Sequence, residues 1–352
     1  MKTALVTTTI NIPHVLHLYR RADPDVRFFI AIDNKTPDLK KFCDEISNAQ
    51  WVSTGSESGD PWKCSPLIGW NCIQRRNIAT LEALRWGADI IVFVDDDNIP
   101  VDPVNYFAWY RSNLSELTPF VPDTPRGYQE RHWSGLLASP EVDWFDVGAF
   151  LDPPASHRGF PHQFAHRKPR LSHVVDARIG ACAGIVLGDP DISAITRIAR
   201  APHVLSVSPL LNAGIAVNPK FTRTVWNTQN SAVIRDLAPA MLLCPQFKRY
   251  DDIIASLVCQ RVMADTGHHV LFGPPFVYQE RNIQSLSKNL EDEAWGQAHI
   301  LDVQAALWRT VTSHSTDICG TVQKLYDALD ILMPGVGALA EAWIKDCRSA
   351  MG

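Results

Sequence analysis

Nowhere in this chain of 352 residues does an apolar run approach the roughly 20 residues that a membrane-spanning helix needs. Its eight cysteines (43, 64, 72, 182, 244, 259, 319 and 347) never form Cys-x-x-Cys, so the spacing of a structural zinc site or a dithiol redox motif is missing. Neither Gly-x-x-x-x-Gly-Lys nor a Gly-x-Gly-x-x-Gly after the first apolar segment occurs, which argues against kinases, nucleotidases and dehydrogenases. There is no excess of base either. With 33 Lys and Arg against 38 Asp and Glu the net charge is −5, which argues against a protein that coats nucleic acid or anionic membrane by general electrostatics. Repeats and low-complexity tracts are absent. The N-terminus has no apolar signal-peptide core and reads as a first buried strand. Cysteines such as Cys182 and Cys259 sit in apolar segments, where thiols behave as small hydrophobes, so a reduced, cytoplasmic protein is expected.

What is present is material for a core. A hydrophobic share of 46% and a charged share of 20% suit one large α/β domain or two modest ones. Strands are predicted at 3–10 and 26–32, with helical character from His14 to Arg21 between them. Apolar positions at 73, 78, 81 and 84 predict a helix over 71–86, closed by Gly87. Ile90 to Val94 then reads as a strand buried on both faces. From 114 to 175 prolines break any long helix, and long loops with short strands are expected. A helix over 251–266, a short strand at Val270-Leu271-Phe272 and a mainly helical end, interrupted at Pro334-Gly335, complete the reading. The division expected is a main domain over 1–284 and a helical extension over 285–352 packed on it.

The strand at 90–94 ends abruptly in Asp95-Asp96-Asp97-Asn98. Three carboxylates in a partly desolvated place repel one another, and a hard divalent cation, Mg²⁺ or Mn²⁺, relieves that repulsion. In open α/β sheets, ligands bind outside the carboxyl ends of strands. Asp95 and Asp97 are therefore the candidate metal ligands on a diphosphate, with Asp96 left to meet a ribose or sugar hydroxyl. A bare Asp-x-Asp is more often a solvated turn, and the preceding helix and buried strand are what favour a site here. An EF-hand is disfavoured because Pro100 stands where its glycine is needed. Arg75-Arg76-Asn77, just before this strand, offers guanidinium forks for phosphate or base. Its alternative is an exposed helix face. Asp251-Asp252 opens the 251–266 helix, where acids also serve as caps.

These pieces resemble the GT-A nucleotide-sugar glycosyltransferase fold: a first strand, an acid after the second (Ile30-Ala31-Ile32-Asp33), a helix, and a strand ending in Asp-Asp-Asp. Arg158-Gly159-Phe160-Pro161 and Arg249-Tyr250-Asp251-Asp252 resemble elements of the plant reversibly glycosylated polypeptides, the UDP-arabinopyranose mutases. Asn227-Thr228-Gln229-Asn230, Gln279-Glu280-Arg281-Asn282 and Glu291-Asp292-Glu293 resemble signatures of the STELLO glycosyltransferase-like domain. The matches run in one order from about residue 3 to 293.

The resemblance implies a GT-A type α/β fold and a metal-dependent transferase, moving a sugar from a UDP-linked donor to a hydroxyl acceptor, a glycan or small molecule rather than nucleic acid. It places Thr8 and Asp33 with the nucleotide, Asp33 near the uracil, and Asp95 and Asp97 near the diphosphate. Asp252 is then the expected base, Asp251 a holder of the donor sugar, and Arg158 an assistant linked in the mutases to reversible self-glycosylation. Trp226 is expected to stack on an acceptor sugar, with Gln229 and Asn230 beside it. The mutases carry His-Ser where this chain reads Tyr278-Gln279-Glu280, so metal coordination is expected to be weaker or completed by water. Two alternatives stand: a nucleotide-sugar mutase acting without an external acceptor, and a non-catalytic scaffold with the same fold. No integral membrane segment is expected, and the sequence leaves a homo-oligomer open.

Overall fold

The computed structural model describes residues 1–52, 61–114, 133–165, 167–200, 203–281, 284–312 and 317–352. The proline-rich stretch therefore falls only partly within the described residues, and Asn282 falls outside them.

The chain begins β1 (Thr3–Thr8), α1 (Leu16–Ala22), β2 (Arg27–Ala31), α2 (Lys40–Ile46) and β3 (Ala49–Val52). It continues with α3 (Ser65–Ile68), α4 (Arg76–Trp86), β4 (Ile90–Val94), β5 (Ile99–Pro100) and α5 (Tyr106–Asn113). The middle holds β6 (Trp133–Ala138), β7 (Leu151–Asp152), β8 (Leu171–Gly188), α6 (Ala194–Ala199), β9 (Ser206–Val207) and α7 (Pro209–Asn212). Next come β10 (Ile215–Val217), β11 (Asn230–Ile234), α8 (Asp251–Thr266) and β12 (His268–Gln279). Three helices finish the chain: α9 (Leu286–Arg309), α10 (Ile318–Asp330) and α11 (Val336–Met351).

Ten strands form one sheet in the order β3-β2-β1-β4-β11-β8-β6-β10-β12-β5, and β12 also pairs with β8. The strands β3, β2, β1 and β4 are all parallel, so their carboxyl ends open on one edge. β4 is Ile-Ile-Val-Phe-Val with every residue buried, as a strand covered on both faces must be. β11 enters antiparallel beside it and brings Asn230 opposite Val94. Beyond β11 the pairing is mixed, through β8, β6, β10 and β12. This is a mixed α/β architecture of the class that the sequence predicts, with helices on the sheet and a helical C-terminal segment.

Local chemistry explains the supports of the site. α4 lies on β1 and β2 and ends at Gly87, whose φ of +85° is left-handed backbone that glycine adopts without a Cβ penalty. α8 packs on β12, and its N-terminus is placed by a short 3-10 turn, Pro245–Tyr250. α9 is started by the Ser285 hydroxyl, which accepts from the Lys288 amide, and α10 by the Asp317 carboxylate, which accepts from Gly320. Helices α9 to α11 pack on α8, α4 and the 3-10 turns before α8.

Three expectations change. The helix predicted from 71 begins only at Arg76, because Ile73–Arg75 form a tighter 3-10 turn after Asn71, itself at φ +58°. The strand foreseen at 270–272 runs from His268 to Gln279, with a register shift between Gly273 and Val277 where two prolines cannot donate to a ladder. The loop-rich stretch ends in the 18-residue strand β8, which starts at Leu171. Its outer half alternates irregularly in burial, and that is why periodicity misses it.

Candidate functional site

The parallel edge gathers Thr8, Thr9, Asp33 and Asp95–Asn98 at the carboxyl ends of β1, β2 and β4. Each aspartate of the triplet has its own partner. Asp95 Oδ1 lies 2.6 Å from Arg76 Nη2. The Asp96 carboxylate accepts from the Thr9 hydroxyl. Both oxygens of Asp97 accept from Gln279 Nε2, at 2.9 and 3.1 Å. Burial pushes the Asp96 and Asp97 carboxyls up from the ordinary aspartate range, and the neighbouring carboxylates push the same way.

The loop before β11 closes over this turn. Arg76 Nη1 donates to Thr228 O at 2.7 Å and Thr228 Oγ1 at 2.9 Å, tying α4 to that loop. Gln229 O accepts from the Asp95 amide at 3.1 Å and from Asn98 Nδ2 at 2.8 Å. Gln229 Nε2 donates to Gln279 Oε1, so an amide relay runs from Gln229 through Gln279 to Asp97.

Asp33 is buried, and its carboxylate accepts from the amides of Asn34 (2.8 Å) and Cys72 (2.9 Å). It thus straps down the turn that carries Trp70, which is 37% exposed with the Arg75 guanidinium 4.2 Å over its ring. Arg75 also donates to Ser65 Oγ at 2.7 Å. Thr8 is half-buried at the end of β1, beside Thr9.

A second charged network lies behind the loop. Arg158 Nε donates to both oxygens of Asp191, at 3.0 and 2.8 Å. Its Nη2 donates to Asp252 Oδ2 at 3.1 Å, and its Nη1 lies 3.0 Å from Asp252 Oδ1. Burial pushes the Asp191 carboxyl up, but the Arg158 and Arg281 guanidiniums together hold it well below the carboxylate range. Burial likewise works against the Arg158 charge, and Asp191 with Asp252 more than restores it. Asp252 Oδ2 also accepts from the Thr228 amide at 3.3 Å. Asp251 faces the other way. Its Oδ2 accepts from Gln74 Nε2 at 2.6 Å, and burial, then the charge of Asp252, pushes its carboxyl up to about 7. Glu293 of α9 is fully buried, accepting from the Ala194 amide at 2.8 Å and from Arg249 Nε at 3.0 Å.

The structure therefore brings Thr8, Asp33, Arg75, Arg76, Asp95, Asp96, Asp97 and Gln229 to one edge. Asp251, Asp252 and Arg158 lie just behind, joined to that edge by Thr228 and Gln74. Asn77 does not join them: its amide donates to Leu243 O at 2.8 Å and accepts from Leu243 N at 3.0 Å, deep under α4. Asn230 is spent inside β11, where its Oδ1 accepts from the hydroxyls of Tyr106 (2.6 Å) and Tyr110 (3.0 Å). Trp226 is 1% exposed and presents no face to solvent on which a sugar could stack. Arg158 is a buried, fully charged guanidinium without a nucleophilic lone pair, which does not suit it to carry a sugar.

Sequence reasoning passes over Thr9, Gln74 and Asp191. For Asp191 a signal existed: Gly188-Asp189-Pro190-Asp191 ends an apolar run as abruptly as Asp95-Asp96-Asp97 does. Thr9 and Gln74 have no such signal, since their roles arise only from contact across the sheet edge.

Among the described residues no group of three or more His, Cys, Asp or Glu side chains is placed to hold a metal ion. Asp95 and Asp97 fit a cation in a narrower sense. Mg²⁺ is commonly held by one or two carboxylates together with substrate phosphates and water, and two such carboxylates stand here close together, Asp95 paired with Arg76 and Asp97 covered only by a neutral amide. No helix among the described residues is long and apolar enough to cross a membrane.

No protein-family model matches the chain, and neither does any curated protein. Among solved structures it is similar to S. aureus TarS 1–349 in complex with UDP-GlcNAc, at 13% identity and a TM-score of 0.36, over 100% of this chain and 90% of that one.

Proposed function

We propose that this protein is a glycosyltransferase that takes a sugar from a nucleoside diphosphate donor, UDP-linked, and passes it to a hydroxyl acceptor. The observation that carries this reading is the Asp95-Asp96-Asp97 turn at the carboxyl end of β4. It gathers three carboxylates at the carboxyl end of the parallel strands, and among the described residues no third His, Cys, Asp or Glu side chain completes a metal cage there. Such a turn calls for a cation that arrives with phosphate oxygens of its own.

Asp95 and Asp97 would hold Mn²⁺ or Mg²⁺ against the donor diphosphate, and that cation would supply charge stabilisation for the leaving group when bound. Arg76 sets the angle of Asp95, and Gln279 that of Asp97. In this reading Thr8, Thr9, Asp33 and the Trp70–Arg75 stack would hold the nucleoside beside the diphosphate. We assign the proton-accepting role to the Asp251–Asp252 pair as a unit. Arg158 Nη1 pairs with Asp252 at 3.0 Å, while Asp251, pushed up to about 7, can take and release a proton near neutrality.

Calorimetry with UDP, with and without Mn²⁺, on the wild type and Asp97→Ala tests this. Binding that needs Mn²⁺ and falls at least tenfold in the variant is expected. No binding by folded wild type under any metal condition overturns the UDP assignment. Product analysis with UDP-sugars alone separates transfer from ring isomerisation: a changed ring form without acceptor makes the protein a mutase.

A further inference from the structure

Gln279 ends β12 with its main chain fixed, since its carbonyl accepts from the Asp189 amide at 3.0 Å. Its side chain is buried, and the two ends of its amide serve different partners. Nε2 donates to Asp97 Oδ1 at 2.9 Å and to Oδ2 at 3.1 Å, and Oε1 accepts from Gln229 Nε2. A carboxylate only accepts, so without a cation the nitrogen must face Asp97. The last torsion of glutamine is broadly two-fold, and its amide oxygen and nitrogen are nearly interchangeable in shape. A half turn about that bond therefore exchanges the two atoms and moves no other heavy atom.

The place that Nε2 holds suits a metal ligand. Mg²⁺ takes oxygen ligands at about 2.0–2.1 Å in an octahedron, which sets neighbouring oxygens about 2.8–3.0 Å apart. An oxygen standing where Nε2 stands lies 2.9 Å from Asp97 Oδ1, the edge of such an octahedron. The far side of the relay can follow. Gln229 is 4% exposed, and its Oε1 has no hydrogen-bond partner among the described residues. If Gln229 turns together with Gln279, that Oε1 accepts from the Gln279 nitrogen, and the bond between the two amides is kept with its direction reversed. What is given up is the contact from Gln229 Nε2 to Asn98 Oδ1, which at 3.3 Å is the longest of the set.

We propose that Gln279 is a third protein ligand of the cation held by Asp95 and Asp97, through Oε1 after its amide turns, with Gln229 turning to receive the freed N–H. The inference rests on the glycosyltransferase reading for the presence of a cation and a diphosphate. It puts a side-chain oxygen where sequence reasoning expects water. Because that oxygen is neutral, it adds no charge to the three carboxylates.

The test measures Mn²⁺ binding through the paramagnetic resonance signal of the free ion, alone and with saturating UDP. It compares the wild type with Gln279→Met and Gln279→His, each checked for folding by thermal unfolding without metal. Methionine keeps the length of glutamine but offers no hard oxygen, and is expected to weaken Mn²⁺ binding about tenfold. Losing an outer hydrogen bond to a ligand can cost as much, so the histidine variant decides between the two roles. Imidazole nitrogen favours Co²⁺ over Mg²⁺. Gln279→His is therefore expected to raise the ratio of Co²⁺ to Mg²⁺ affinity at least tenfold above the wild type's, and to change the visible absorption of bound Co²⁺. A residue that only orients Asp97 changes neither. A ratio and a spectrum like the wild type's overturn the proposal. If the wild type binds UDP with Mn²⁺ and Gln279→Met binds Mn²⁺ within twofold of it, this inference fails while the function stands. If Gln279→Met loses Mn²⁺ from a wild type that binds no UDP, the UDP assignment fails and the ligand survives. A wild type that takes up no Mn²⁺ in either condition overturns both.

Discussion

Gln279 Nε2 donates to both carboxylate oxygens of Asp97, at 2.9 and 3.1 Å, from the last residue of β12. One neutral amide therefore covers a carboxylate that burial and its acidic neighbours already push toward the protonated form. Gln279→Glu replaces that donor with a fourth carboxylate. Without divalent cation the variant should lose about 2–4 kcal/mol, since a buried charge is set against its like. Thermal unfolding with and without Mn²⁺ checks this. The variant's midpoint should rise with Mn²⁺ far more than the wild type's, and an unchanged midpoint in both conditions would count against a cation at Asp97.

Arg76 carries the link between α4 and the loop before β11, through Asp95 and Thr228. Its side chain is 2% exposed and that of Asp95 is 24%, so this is a largely buried ion pair. Arg76→Ala leaves Asp95 without its cation and should cost about 3–5 kcal/mol, whereas Arg76→Lys keeps the charge and loses the fork to Thr228. Urea denaturation should rank the wild type above Lys and Lys above Ala. Equal stability of the Lys and Ala variants would show that charge on Asp95 does not matter.

How far this arrangement was legible in the sequence depends on range. β4 and its acidic end were readable because a buried β-branched strand and its sudden stop are both local. α8 was readable to the residue, since Asp251-Asp252 at the start and Gly267 at the end are capping signals. The exposed-face alternative for Arg75 and Arg76 was not excluded by sequence, because their burial depends on Ser65 and Thr228, ten and 152 positions away. Trp226 looked like a surface platform for the same reason. Its neighbours along the chain are mostly polar, yet it is 1% exposed and shares the wall of a small cavity with residues of β8, β12 and the segment after Trp144. Amide partners such as Gln279 for Asp97 leave no spacing rule at all.

Asp251 sets a pH dependence with a definite sign. Its carboxyl stands near 7 in the folded protein against 3.8 as the ordinary value. The folded state therefore holds a proton that the unfolded chain releases, and stability falls as pH rises from about 4 to about 7. Asp251→Asn keeps an acceptor for Gln74 and removes the titration. The variant should match the wild type near pH 4 and exceed it by something on the order of 2–4 kcal/mol at pH 8. Denaturation midpoints across that range check it. A wild type whose stability relative to the variant does not change with pH would mean that Asp251 titrates normally.

Gly296 of α9 lies against the ring of Tyr250, the residue just before Asp251, and a Cβ built there would overlap Tyr250 Cγ, Cδ1 and Cδ2. The helix propensity of alanine is better than that of glycine by about 1 kcal/mol, so Gly296→Ala would stabilise an isolated helix. Here overpacking wins, because α9 is also pinned by Glu293 to Arg249 and to the Ala194 amide and cannot retreat freely. A net loss of about 1–3 kcal/mol is expected, together with weaker Mn²⁺-dependent UDP binding as the start of α8 is displaced. Tyr250→Leu frees the space and should recover most of the stability when combined with Gly296→Ala, giving a coupling energy of at least about 1 kcal/mol in a double-mutant cycle. Additive effects in that cycle would show that α9 shifts as a body and that the Tyr250 ring does not position Asp251.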